Sequence, residues 1–421
     1  MVFIDVSNVV RTMDEVKNVL YLSYDGMTDP LGQSQVLPYL IGLSKKGIRF
    51  HLISFEKPDR FEKLKDDIQA LCDKNEITWH PTIYTKKPPL LSTLYDVWQM
   101  RKLSFKLNKT HQFSIVHCRS YLSALVGLAI KKKFRTKFLF DMRGFWADER
   151  IDGKIWSLSN PVFKVVYNFF KRKEKQFFLE SDYIISLTQN GKDEICSWNG
   201  FNHLEEKTQV IPCCADLTKF DPTKISDSKK IELQEKLKIN FNQFVLGYVG
   251  SIGTWYMLDE MLVLFKSLLS KKQDAIFLFI SGDDPNHILK RSTELSISRE
   301  SIRIQSAKHD EVAVYISLFS ASVFFIRPTY SKKASSPTKQ GELMSMGIPI
   351  ICNAGVGDTD KVIQNYQAGI VLDQLNNNEF EKVNWDEIPF DKTKAQFGAS
   401  VFYGLENGVA NYFKVYQNLL Q

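Results

Sequence analysis

Two successive α/β units, each built on a parallel sheet, are what this sequence predicts. Short apolar runs alternate with stretches of helical period along the chain. The alternation halts near Pro212–Pro222 and restarts at FVLGYVGSIG (244–253). The length, 421 residues, suits two to three domains at roughly 150 residues each.

Taken in order, VKNVLYLS (16–23) reads as the first strand, LGQSQVLPYLIGLSKKG (31–47) as a helix and RFHLISF (49–55) as the second strand. A helix near 59–73, a strand at 77–80 and a long helix at 91–110 follow. FSIVHCR (113–119), a helix near 121–132 and KFLFDMR (137–143) continue the pattern. A loop, DMRGFWADERIDGKIW (141–156), leads to an amphipathic helix at 159–180, then to DYIISLT (182–188), a short helix and QVIPCC (209–214). In the second half, strands are expected at 244–253, 274–284, 302–307, 321–328, 348–354 and 369–372. Helices are expected near 256–270, 285–296, 309–320, 338–347 and 358–367, with a final amphipathic helix at 402–420. Strand–helix alternation favours parallel sheets, whose ligands sit beyond the carboxyl ends of the strands.

Composition narrows the classes. Hydrophobic residues make up 44% and charged residues 24%, which excludes disordered, collagenous and low-complexity chains. No run of about 18 apolar residues predicts a membrane span. The opening MVFIDVSNVVRTMDEVKNVL lacks the basic-then-apolar order of a signal peptide, so a cytoplasmic location is expected. The six cysteines form no CxxC pair and read as free thiols. Metal ligands at useful spacing, HExxH, GxSxG and P-loop patterns are absent; Gly247, Gly250 and Gly253 do not make a dinucleotide fingerprint. The net charge of +7 is confined to the first half, which carries +8 against −1 for residues 216–421. KKKFRTK (131–137) and KRKEK (171–175) hold much of it. Such clusters suit an anionic membrane, a phosphate-bearing substrate or a solvated face; no nucleic-acid module accompanies them, so nucleic acid is not expected.

The most informative stretch is SSPTKQGELMSMGIPII (335–351). Ser336 suits an N-cap and Pro337 the first helical turn. Thr338, Lys339 and Glu342 fall on one face of the helix. Its positive end and Lys339 together attract phosphate, and Glu342 is an acceptor suited to paired sugar hydroxyls. A capped surface helix with a Lys–Glu pair remains the plain alternative.

This stretch resembles the family-4 retaining glycosyltransferases of the GT-B fold, the group 1 branch. FFIRP (324–328) followed by GELMSMGIPII (341–351) matches the family's strand, loop and Glu-led helix. The likeness extends to VLYLSYDGMTDPLGQSQVLPYLIGLSKKG with Gly32, to SDYIISLTQNGKDEI (181–195) and to VIPCCADLTKFDP (210–222), where Cys213 and Cys214 replace the usual Asn-Gly. GYVGSIGTWY (247–256) and KHDEVAVYISLFSASVFFIRP complete it.

The resemblance implies two Rossmann-like domains facing a cleft: residues 1–215, with 400–421 packing back on them, for the acceptor, and 216–399 for a nucleotide sugar. Glu342 corresponds to the second acid of the family's Glu-x7-Glu pair and is implied on the ribose. The first acid falls at position 334, here Ala334. The Arg and Lys usual after the GxVG strand are missing from SIGTWYMLDE (251–260), leaving Arg327 and Lys339 for the diphosphate. Gly32, Gly250, Ser251, Ser335, Ser336 and Thr338 join Lys339 and Glu342 as implied donor contacts. Asp141 is implied in catalysis with Arg327 and Lys339, and with Arg143 and His117 at the acceptor. A nucleotide sugar serves as co-substrate, with no separate cofactor and no metal. The acceptor is expected to be a saccharide or lipid-linked saccharide in cell-surface polysaccharide synthesis, with peripheral membrane contact through 131–137 and 164–180. Rival readings are a catalytically silent subunit that binds saccharide or a partner enzyme, and an NAD-dependent oxidoreductase.

Overall fold

A computed structural model describes residues 17–308 and 311–421. The signal-peptide reading of the first residues, and residues 309–310 of the predicted helix at 309–320, lie outside them. The first half runs β1 (Lys17–Ser23), α1 (Pro30–Gln35), α2 (Leu37–Ser44), β2 (Ile48–Glu56), α3 (Pro58–Lys74), β3 (Ile77–Ile83), α4 (Leu91–His111), β4 (Ile115–Arg119), α5 (Ser120–Phe134), β5 (Lys137–Asp141), α6 (Trp146–Asp152), α7 (Pro161–Glu180), β6 (Tyr183–Ser186), α8 (Gln189–Ser197) and β7 (Thr208–Val210). Then come α9 (Asp227–Leu237), β8 (Val245–Val249), α10 (Leu258–Lys271), β9 (Ile276–Ile280), α11 (Pro285–Glu294), β10 (Ile302–Gln305), α12 (Val312–Ile316), β11 (Ala321–Phe324), α13 (Thr338–Ser345), β12 (Ile350–Asn353), α14 (Thr359–Asn365), β13 (Gly369–Leu372), α15 (Asn377–Glu381), α16 (Lys392–Gly398) and α17 (Leu405–Leu420).

A seven-stranded sheet has the order β3-β2-β1-β4-β5-β6-β7, and a six-stranded sheet β10-β9-β8-β11-β12-β13. The pairs β1–β2, β1–β4, β8–β9 and β11–β8 all run parallel. In each sheet the order reverses once, between β1 and β4 and between β8 and β11, and such a reversal opens a crevice at the strands' carboxyl ends. Strands β4, β8, β9, β11 and β12 are buried along their whole length. That is the signature of a sheet covered by helices on both faces.

The chain divides into two compact units. One holds the residues up to Met142 with Lys173–Ile184 and Tyr412–Gln421; the other holds Arg143–Arg172 with Ile185–Asn411.

Local chemistry explains where expected elements shift. The helix expected at 31–47 breaks at Val36, because Pro38 has no N–H to continue the ladder and its ring crowds the carbonyl one turn back. The expected loop at 141–156 contains α6, whose first turn carries Asp148 and Glu149 against the helix dipole. Helices α9, α15 and α16 are not among the expected elements: α9 is mostly polar and buries only Leu233 and Leu237, and α15 and α16 are short. In α7, Phe170, Phe177 and Phe178 are core side chains and Lys171 is bound to Asp148, while Phe169 and Leu179 are exposed.

Candidate functional site

The second unit carries a buried cation at its switch point. Strand β8 ends at Val249, and Gly250 follows with φ +104, a conformation open to glycine at little cost. A Cβ on Gly250 would stand 3.3 Å from the Lys339 ammonium. Lys339, in the first turn of α13, points its Nζ onto two tyrosine rings, 3.7 Å from the centroid of Tyr256 and 4.2 Å from that of Tyr248. Its Nζ is buried, with no hydrogen-bond partner among the described residues. Burial lowers its pKa to about 7, although the charges of Glu342 and Asp283 oppose the shift. Glu342, one turn on and half-buried, is pushed up to about 7 by the same desolvation, against the pull of Lys339. The ring faces recover part of the lost hydration, about 0.5–2 kcal/mol. They supply no hydrogen-bond acceptor, so the three ammonium donors remain available to an anion.

The loop after Gly250 is held from β9. Ser251 Oγ donates to Asp283 Oδ1 at 2.8 Å, and the Ile252 N–H to Oδ2 at 2.6 Å. Burial raises the Asp283 carboxyl, but these bonds, with those of Ser281 and Gly253, outweigh it and hold the group below its ordinary value. Tyr248 Oη donates to the Ser251 carbonyl at 2.8 Å, which fixes the ring under Lys339.

The amino end of α13 departs from the expected cap. The helix starts at Thr338, Pro337 occupies the cap position, and no side chain closes the first turn. Ser336 Oγ instead accepts the N–H of Cys213 at 3.1 Å. Arg143, with φ +57, donates from Nη2 to Cys213 Sγ at 3.1 Å. Arg143, placed at the acceptor by sequence, thus connects through Cys213 to the same loop as Lys339. Arg327 is exposed beyond β11, but its N–H bonds the Trp255 carbonyl at 3.0 Å and Ile326 bridges to Tyr256. Its guanidinium makes no hydrogen bond or ion pair among the described residues.

Ala334 is fully buried, and the turn from Tyr330 that it ends is pinned. Thr188 Oγ1 bonds the Lys333 carbonyl at 2.6 Å. Lys332 Nζ meets Glu149 at 2.7 Å and lies 3.6 Å from the Trp255 ring centroid. Ser335 continues this turn with its N–H on the Lys332 carbonyl. An acid side chain at position 334 would enter packed space.

The first unit has its own buried polar cluster. Asp141, at the end of β5, is 1% exposed and accepts from Tyr412 Oη at 2.9 Å. His117 Nε2 lies 3.5 Å from the same oxygen, and its Nδ1 is 2.7 Å from Tyr416 Oη. Gly32 packs tightly: a Cβ there would meet the Gly26 carbonyl at 2.2 Å. The neighbouring N–H groups of Met27 and Thr28 are taken by buried Glu56 at 2.8 and 2.9 Å. The glycine loop is therefore fastened by its own carboxylate.

Sequence reading missed Tyr248, Tyr256, Asp283 and Arg119. Arg119 ends β4 at the first sheet's switch point, 4% exposed, with Nε 3.4 Å from Asp25 and a buried Nη1 that makes no hydrogen bond among the described residues. Its position as the last residue of a buried strand was the available signal.

Family models agree with this architecture. Glycosyltransferase Family 4 matches residues 36–219, and Glycosyl transferases group 1 matches residues 229–383. No curated protein matches the chain. Among solved structures, a glycosyltransferase from Rickettsia africae is 16% identical, with TM-score 0.66 over 97% of this chain and 100% of its own. A sucrose-phosphate synthase from Thermosynechococcus elongatus is 14% identical, with TM-score 0.69 over 96% and 99%. Anabaena HepE, solved with UDP and glucose, is 13% identical, with TM-score 0.64 over 96% and 99%. At these identities the likeness is one of fold, and the fold is GT-B. With two sheets of one strand order and both family models in sequence along the chain, the protein is a glycosyltransferase of the group 1 family.

Proposed function

We propose that the second unit binds a nucleoside diphosphate sugar, with the diphosphate on Lys339 and the ribose hydroxyls on Glu342. The observation that carries this is the buried Lys339 ammonium, which lies against two aromatic faces and Gly250 without a hydrogen-bond acceptor among the described residues. A diphosphate provides the missing acceptors, and the uncapped start of α13 adds its N–H groups. Ser251, Ser335, Ser336 and Thr338 border this position. Arg327 supplies a second cation that reaches the leaving phosphate, where charge develops in the transition state. Transfer is retaining, on the donor's front face, with the departing phosphate taking the acceptor's proton. The amino-terminal part takes the acceptor, a saccharide or lipid-linked saccharide of a cell-surface polysaccharide, on the cytoplasmic side of a membrane. There Arg143 contributes charge. Asp141, being buried, acts as a positioning residue together with His117.

A thermal-shift screen of UDP-, GDP-, ADP- and CMP-sugars tests the donor reading, beginning with UDP-glucose because HepE was solved with UDP and glucose. Ligands stabilise by mass action, so the right donor raises the melting temperature. The rise should vanish in Lys339→Met. A full rise in that variant would refute the assignment.

A further inference from the structure

The first half of helix α4 is inside out. The residues the helix buries against the first unit are Ser92, Asp96, Met100, Ser104 and Asn108, one per turn and mostly polar. Asp96 explains the arrangement in part: its Oδ2 accepts from Tyr24 Oη at 2.8 Å and from the Thr85 N–H at 3.1 Å. Four apolar side chains of its first half face the other way, while Val97, Leu103, Phe105 and Leu107 are half-buried. Leu91, Leu94, Tyr95 and Trp98 follow helical spacing and are 51–66% exposed. An ordinary surface helix places these two sets the other way round, so a contiguous apolar stripe left outside marks an interaction face.

Charge identifies the partner. Lys86, Lys87, Arg101, Lys102, Lys106 and Lys109 are all exposed, before and after the stripe. The single acid between Lys86 and Lys109 is Asp96, which is buried. The positive field continues onto α5, where Lys133 Nζ lies 5.0 Å and Arg101 Cζ 5.1 Å from the ring centroid of Phe105. Lys131 and Lys132 contribute less, because Asp182 and Glu180 pair with them. No helix among the described residues is long and apolar enough to cross a membrane. A shallow apolar stripe with Trp and Tyr, flanked by unopposed lysines and arginine, matches the boundary between acyl chains and anionic headgroups.

We propose that α4 is a docking face for an anionic bilayer, with Leu91, Leu94, Tyr95 and Trp98 entering the interface and the flanking cations on lipid phosphates. This moves the contact from 164–180 to α4 and keeps only the edge of 131–137. It does not depend on which donor or acceptor the enzyme uses.

The test is co-sedimentation of the full chain with vesicles of equal parts phosphatidylglycerol and phosphatidylcholine, against pure phosphatidylcholine. Binding should appear only with the anionic lipid and fall with salt. Lys86→Ser with Lys87→Ser should weaken it about fivefold for each lysine removed. Leu94→Ser with Trp98→Ser should weaken it tenfold or more. Circular dichroism melts and the UDP-glucose thermal shift, run on the same variants, should match the parent, which separates lost docking from lost folding or donor binding. Equal binding to neutral vesicles, or variants that bind as the parent does, would overturn the proposal. So would a concentration-dependent dimer dissolved by Leu94→Ser with Trp98→Ser, since a second copy would then be the occupant.

Discussion

Two buried polar clusters of this chain are built from similar parts and left in opposite states. In the first unit, Asp141, His117, Tyr412 and Tyr416 answer one another across distances of 2.7–3.5 Å. In the second, Lys339 lies against rings that offer no acceptor, and its ammonium makes no hydrogen bond among the described residues. The network of the first unit holds helix α17 to β4 and β5, and its worth is stability. An open one costs stability until a ligand completes it. The same kind of substitution should therefore have opposite consequences in the two places.

The largest effect is expected at Lys339. Lys339→Met keeps the volume, removes a desolvated charge and should raise the melting temperature of the unliganded protein. Donor affinity should fall about a hundredfold, the loss expected when a buried, charge-assisted contact disappears. Calorimetric titration and a melting curve on one sample read both signs. Loss of stability in this variant would break the contrast. At Asp141 the order reverses. Asp141→Ala leaves His117 and Tyr412 without their shared acceptor inside the core and should cost about 3 kcal/mol in urea unfolding. Tyr412→Phe should cost about 1 kcal/mol. Donor affinity should stay at the parent value in both. An Asp141 variant that unfolds like the parent but loses turnover would show a carboxylate that meets substrate.

The pH dependence of stability sharpens the same comparison. Glu342 titrates near 7 in the folded chain against an ordinary 4.5, so the folded state holds the extra proton between these values. Its stabilisation is present below 4.5 and is lost as pH rises to about 7. Lys339 titrates near 7 against an ordinary 10.5, so the unfolded state holds the extra proton in that interval. Its stabilisation is present above 10.5 and is lost as pH falls to about 7. Both contributions are smallest near neutrality, and unfolding free energy should dip there. The dip should disappear in Lys339→Met with Glu342→Gln and flatten when donor is bound. A dip retained in the double variant would assign it elsewhere.

How much of this was legible in sequence follows from the range of each signal. Periods of two and 3.6 residues are local, so the strands and the order of the two halves could be read directly. Lys339 and Glu342 could be paired because one helical turn separates them. Tyr248, Tyr256 and Asp283 could not, since they approach Lys339 only when β8 lies between β9 and β11. Arg143 was assigned by its place in the chain, and its bond to Cys213 spans seventy residues. Ser336 satisfied the preference for an N-cap but took the more distant N–H of Cys213. The inversion of α4 was invisible for another reason: a helical period shows that two faces differ without telling which is buried.

The smallest expected effect belongs to Tyr256, and it measures how the cation is held. Tyr256→Leu keeps the site apolar and removes one ring from beneath the ammonium. A cation–π contact at a desolvated site is worth about 2 kcal/mol, and a bound diphosphate recovers part of that for the charged form. Donor affinity should therefore fall about fivefold, well short of the loss in Lys339→Met. The Lys339 pKa, followed through the pH dependence of donor affinity, should drop below its present value of about 7. Tyr248→Leu should act in the same direction but further, because its hydroxyl also fixes the Ser251 carbonyl. An unchanged affinity profile in Tyr256→Leu would mean that the loop after Gly250, rather than the aromatic pair, positions the lysine for its anion.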